Sequence, residues 1–170
     1  GDQVRDKDAI SAVAILCEMA AYARENGYSL FEKLMDMYVQ YGFYLEHLIS
    51  ITKKGMNGQK EIADMMESYR QQPPQTIAGE AVEQLLDYQQ QVGKNLITGE
   101  TWTIDLPKSN VLQFVTKSGT KVSARPSGTE PKIKFYFSVN QPLPSRDQFD
   151  EVHAQLQTKI QTIIQDMKLN

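Results

Sequence analysis

The chain has 170 residues and a mass of 19.3 kDa, with 41% apolar and 23% charged residues, proportions of a globular domain with a sizeable core and not of a disordered chain. No run of 18 apolar residues occurs, which excludes a membrane-spanning helix, and the charged opening GDQVRDKD lacks the pattern of a signal peptide, so no membrane partner is expected. A single cysteine, Cys17, excludes an internal disulfide or a multi-cysteine metal site and suits a cytoplasmic location, while a net charge of −3 tells against nucleic acid as a partner of the whole chain.

The first predicted helix starts at Asp6 or Asp8 and carries Ile10, Val13, Cys17 and Ala20/Ala21 at helical spacing. Its remaining positions are also largely apolar, so it is expected to be buried on more than one side, with Cys17 as core filler. Asn26-Gly27 ends it, and Ser29 with Glu32 opens a second helix with Leu30, Leu34, Met37/Tyr38 and Tyr41 on one face, stopped at Gly42. The β-branched and aromatic run Tyr44–Thr52 predicts a strand. A third helix follows the turn residues Lys53–Gly58, with Ile62, Met65, Met66 and Tyr69 as its stripe, and ends at Pro73-Pro74. Val82–Tyr88, Val111–Thr116, Thr120–Arg125 and Lys132–Val139 read as further strands, the middle two joined by a Lys117-Ser118-Gly119 hairpin turn. The last helix, capped by Ser145 with Gln148, buries Phe149, Val152/His153, Leu156, Ile160, Ile163/Ile164 and Met167.

The resulting expectation is an α+β fold: an antiparallel sheet of about four to five strands packed against helices, preceded by two helices that belong to another domain. The boundary is set at Gly42, giving 1–42 and 43–170. Two helices this apolar cannot bury themselves alone, so residues 1–42 read as the tail of a domain whose sheet lies elsewhere.

Charge is distributed unevenly. Between Thr116 and Asn140 stand Lys117, Lys121, Arg125, Lys132 and Lys134 against Glu130 alone, a local +4 that leaves −7 for the rest of the chain. In the middle lies RPSGTEPK, residues 125–132. Arginine offers a planar fork that matches phosphate, Ser127 and Thr129 offer hydroxyls, and Gly128 lets the backbone turn so that N–H groups can converge on an anion. If the flanking strands pair with Val122, Ala124, Ile133, Phe135 and Phe137 toward the core, Lys121, Ser123, Arg125, Lys132 and Lys134 share the opposite face. A phosphate or carboxylate site follows, with a solvated strand face as the alternative. Glycine spacing and strand context exclude a nucleoside-triphosphate P-loop.

At Arg125–Tyr136, RPSGTEPKIKFY, the sequence resembles the C-terminal phosphate-binding loop of the α-D-phosphohexomutases, the phosphoglucomutase/phosphomannomutase superfamily, and the opening GDQVRDKDA looks like the stretch after that family's sugar-binding loop in its third domain. The resemblance implies a C-terminal fragment, with 1–42 as the last helices of domain 3 and 43–170 as the phosphate-binding domain 4. It implies a cytoplasmic phosphotransferase that interconverts hexose 1-phosphate and hexose 6-phosphate through a phosphoserine and a glucose 1,6-bisphosphate-type intermediate. Mg2+ would be held by ligands outside this chain, and the partners would be a phosphosugar substrate and the N-terminal domains of the same polypeptide. Carried over by position, Arg125, Ser127, Gly128 and Thr129 bind the non-reacting phosphate, Lys134 and more weakly Lys132 add charge, and Lys7 is a proton donor or acceptor near the reacting centre. The chain alone is expected to be inactive, since the nucleophile and metal loop are absent from it. The alternative is a stand-alone module that binds phosphate or sugar phosphate without catalysis.

Overall fold

A computed structural model describes residues 7–55 and 57–169. The chain divides into two compact units, one built from the chain up to Phe43 together with Pro142–Phe149, the other from Tyr44–Gln141 with the residues from Asp150 onward.

In the first unit, α1 (Ala9–Glu25) starts at Asp8, whose carboxylate accepts the Ser11 N–H at 3.0 Å; Asp6, the other expected cap, lies outside the described residues. α2 (Leu30–Tyr41) opens with a complete capping box: Ser29 N–H donates to Glu32 at 2.7 Å and Glu32 N–H donates to Ser29 Oγ at 3.1 Å. Gly42, at φ 92°, ends it. Met35 is buried, and Tyr38, Phe43 and Phe149 form an aromatic cluster with centroids 4.6 and 5.1 Å apart, which Phe31 joins edge-on at 6.1 Å. Arg146, in a 3-10 turn at Arg146–Gln148, donates to Asp36 at 2.7 Å.

Three expectations are corrected here. α1 is exposed along nearly its whole length, Ile10 at 85% and Leu16 at 53%, and Cys17 is exposed and not core filler, because within this unit no second layer covers that helix. Of the expected α2 stripe, Tyr38 packs into the aromatic cluster, beside a buried Met35 that the stripe left out, while Leu30, Leu34, Met37 and Tyr41 are exposed. Ser145 makes no capping bond to the backbone; a 3-10 turn intervenes before the last helix.

The second unit is the sheet. Its strands are β1 (Phe43–Thr52), β2 (Thr76–Ile77), β3 (Glu80–Asp87), β4 (Val92–Asn95), β5 (Thr101–Thr103), β6 (Leu112–Thr116), β7 (Lys121–Pro126) and β8 (Lys132–Gln141). The order is β1-β8-β7-β6-β3-β4-β5, with β2 alongside β3, and the pairs from β8 through β5 are antiparallel. The α+β class therefore stands, but the described residues form eight strands and not four to five. The additional three are two to four residues long and carry no alternating apolar pattern: all of β5 is exposed, and Gly93 of β4 leaves its position to the Trp102 ring opposite, which a Cβ would approach to 2.2 Å.

One sheet face is the core. Leu112, Phe114, Val122, Ala124, Ile133, Phe135, Phe137 and Val139 are fully buried, as strand alternation requires. α3 (Gly58–Gln71) buries Ile62 and Met66 and sets Tyr69 edge-on to Phe114 and Phe135, while α4 (Phe149–Asp166) buries Val152, Leu156, Ile160 and Ile163. Gly58 is required by close approach: a Cβ there would stand 2.3 Å from the Lys53 carbonyl oxygen and 3.0 Å from Pro131 Cβ. Among the described residues no helix is long and apolar enough to cross a membrane.

Candidate phosphate-binding site

The loop 127–131 joins β7 to β8, and the register sets its flanks. Arg125 pairs with Lys134 and Pro126 with Ile133. Since Ala124, Ile133 and Phe135 point into the core, Arg125, Lys132, Lys134 and Tyr136 occupy the other face. The expected grouping of cations on that face is what the register produces.

Within the loop, Ser127 N–H donates to the Lys132 carbonyl and Lys132 N–H to the Glu130 carbonyl, both at 2.8 Å. The N–H groups of Thr129 and Glu130 reach Ser127 Oγ at 3.4 and 3.3 Å. A hydroxyl that accepts from two amides keeps its proton for an outside acceptor. Of the loop amides, Gly128 N–H is left without a protein acceptor among the described residues. The expected convergence of several N–H groups on an anion is thus reduced to one, the others being turned inward onto Ser127. Gly128 is also not in the left-handed region; a Cβ there would meet nothing within 4 Å, so what the glycine supplies is bare backbone and not an unusual turn. Lys53 N–H, at the end of β1, donates to the Pro131 carbonyl at 2.9 Å and anchors the far end of the loop.

A cleft of about 210 Å³ opens on the cationic face, lined by Arg125, Pro126, Ser127, Gly128, Lys134 and Tyr136. Four residues singled out from the sequence, Arg125, Ser127, Gly128 and Lys134, meet there. Thr129 and Lys132 do not line it: Thr129 is exposed in the loop, and the Lys132 ammonium lies 4.0 Å from the Glu130 carboxylate. Tyr136 is the member that sequence reasoning left out, although its place on the polar face of β8 was readable from the alternation. Lys7, exposed just ahead of the Asp8 cap, belongs to the first unit.

What separates this cleft from the paired cations Arg70 and Lys159 of the same unit is the lack of compensation. Arg70 Nε lies 3.0 Å from Asp87, and Lys159 Nζ 2.6 Å from Glu80. Glu80 shows what a settled pair looks like: burial pushes its carboxyl up, but hydrogen bonds from Lys159, Ser118 and Thr116 outweigh that and hold it below its ordinary value. Among the described residues Arg125 and Lys134 have no carboxylate partner, and like charges directly opposite across two strands repel. A bound anion between them removes that repulsion. Among the described residues no group of three or more His, Cys, Asp or Glu side chains could hold a metal ion.

No protein-family model matches the chain. It is 36% identical over 157 residues to a phosphoglucomutase of Staphylococcus aureus (strain MRSA252), covering 92% of this chain and 27% of that protein. A phosphoglucomutase of Staphylococcus saprophyticus is 36% identical over 135 residues, 79% of this chain and 24% of its own length. The chain belongs to the α-D-phosphohexomutase family. This phosphohexomutase chain spans about a quarter of the length of those curated relatives. Its fold is also that of part of the open form of the exocytosis-sensitive phosphoprotein pp63/parafusin, a phosphoglucomutase from Paramecium: the TM-score is 0.59 over 99% of this chain and 28% of that one, at 15% identity.

Proposed function

We propose that this chain is the phosphate-gripping C-terminal part of a phosphoglucomutase-type enzyme, one that interconverts hexose 1-phosphate and hexose 6-phosphate by way of a phosphoserine and a bisphosphate intermediate. Residues 43–170 act as the phosphate-binding domain and 1–42 as helices of the preceding one, the remaining domains lying in the rest of a cytoplasmic polypeptide. The observation that carries this reading is the uncompensated Arg125–Lys134 pair in one cleft with Ser127 and Gly128. The guanidinium binds two phosphate oxygens, Lys134 neutralises the second charge, and the Ser127 hydroxyl and Gly128 N–H donate to the remaining oxygens. Thr129 and Lys132 serve as outer contacts.

Holding the phosphate that does not react supplies binding energy away from the reacting centre, where it orients the sugar for transfer. Such a charge-assisted contact is worth on the order of 2–5 kcal/mol once desolvated. Lys7 is the proton donor or acceptor of the assembled enzyme. The Mg2+ that this chemistry uses does not fit the side chains described here, which offer no cluster for it, so its ligands belong to another part of the enzyme. The chain by itself therefore has no mutase activity.

Titration of the chain with glucose 6-phosphate, followed by backbone amide shifts, tests the reading. Shifts centred on Ser127–Thr129 that vanish in Arg125→Ala are expected; shifts centred elsewhere, or unaffected by that change, overturn it.

A further inference from the structure

The sheet ends on two edges that differ in kind. β5, at one end of the strand order, is three residues long and offers a neighbour few free ladder groups. β1, at the other end, has ten residues, and among the described residues no strand lies outside it. Its residues 44–52, YLEHLISIT, include no proline, lysine or arginine and one acid, Glu46, so the residues that usually blunt an edge are missing from it. The His47 ring stands 6.1 Å from that of Phe137, which is fully buried. Leu45, His47, Ile49 and Ile51 therefore lie on the helix-covered side of the sheet, and Tyr44, Glu46, Leu48, Ser50 and Thr52 on the other. All five of the latter are exposed, Leu48 at 46%.

On the helix side this edge is not closed over. A cleft of about 660 Å³ runs between β1 and α4, walled by Leu45 and His47 of the strand and by Ala154, Gln157, Ile160 and Gln161 of the helix. A strand added outside β1 would bring every second side chain to the mouth of that cleft. β1 itself has the sequence for such a strand. Turned antiparallel about a two-fold axis through Leu48, perpendicular to the sheet, a second β1 sets Thr52 opposite Tyr44, Ser50 opposite Glu46 and Leu48 opposite its own copy. On the cleft side Ile51 falls opposite Leu45, and Ile49 opposite His47. Apolar then meets apolar at the axis, the single carboxylate meets a hydroxyl that can donate to it, and two isoleucines of each copy reach the cleft of the other. An axis one residue earlier sets imidazole on imidazole and Glu46 on Leu48; one residue later it sets Leu48 on Ser50 and shortens the overlap.

We propose that β1 is a self-association edge: a second copy of this chain pairs its own β1 antiparallel across it, in the register centred on Leu48, and the sheet continues through both molecules. No residue lining the anion cleft takes part in this contact. Sedimentation equilibrium over a range of concentrations tests it, under reducing conditions so that the exposed Cys17 does not link copies. The variants change only the exposed positions 46, 48 and 50, and each is first shown by circular dichroism to melt like wild type. The wild-type mass should rise from 19.3 kDa toward twice that value as the chain is concentrated. Leu48→Lys sets two ammonium groups against each other at the axis and should weaken the dimer about ten-fold. Ser50→Lys gives each Glu46 an opposite charge across the axis and should tighten it about five-fold, while Ser50→Glu should weaken it by about the same factor. Adding Glu46→Lys to Ser50→Glu should bring the affinity back to that of wild type or above. A chain that stays monomeric at every concentration, as it would with a different strand as the natural occupant of the edge, overturns the proposal. A dimer whose affinity ignores both Ser50 variants overturns it as well.

Discussion

Arg70 and Arg125 lie in the same unit and carry the same side chain, yet one is locked and the other waits. Arg70 spends its fork on Asp87, Gln89 and Asn110, at 3.0, 2.7 and 2.6 Å, and so ties β3 and the turn after it to the segment before β6. Arg125 faces Lys134 across a strand pair with no acid between them among the described residues. Arg70 holds the fold through its counter-charge, whereas Arg125 lines a cleft with a second cation and the loop donors beside it. Two unpaired cations in one cleft with Ser127 and Gly128, more than the presence of basic residues, mark the site.

The comparison breaks most visibly at the locked end. Asp87→Ala strands a guanidinium that is 12% exposed, and about 3 kcal/mol of stability should be lost, read as a lower urea midpoint. At the open end the pattern inverts: Lys134→Ala should cost about ten-fold in phosphate affinity, yet move stability by no more than about 0.5 kcal/mol. A large drop in stability would place Lys134 with the structural cations. The Glu80–Lys159 pair sharpens the contrast through pH. The folded Glu80 carboxyl titrates below its ordinary 4.5, so its contribution is complete above that value and fades as the pH falls through the lower, folded one. The stability gap between wild type and Glu80→Gln should accordingly be present at neutral pH and close in strong acid; a gap that persists there contradicts the pairing. Smallest is Lys132→Ala, where Glu130 at 4.0 Å already offsets the charge, and phosphate affinity should change by less than about two-fold.

Legibility followed burial. The faces of β7 and β8 could be read residue by residue, because one face is fully buried and a period of two leaves no freedom; the meeting of Arg125 and Lys134 follows directly. α4 was equally readable, since its stripe from Val152 to Ile163 has a sheet to lie on. α1 has more apolar residues than α4, but Ile10, Val13 and Leu16 stay exposed, for periodicity reports what a helix could bury and not what stands beside it. β4 and β5 were invisible because a Gly93–Trp102 contact, which only the cross-strand register creates, takes the place of an apolar pattern. Inside the loop, residue types suggested donors, but the Thr129 and Glu130 amides turn to Ser127 by a local choice that composition does not encode. How α3 approaches the loop is a tertiary fact.

That approach has a mechanical consequence. Gly58 brings α3 so near that Lys53 and Pro131 touch its first turn, and the Lys53 N–H grips the Pro131 carbonyl at 2.9 Å. The anion loop is thereby clamped at its downstream hinge to a strand end and a helix at once. A ligand that shifts Pro131 must therefore also shift the strand end and the helix start that hold it.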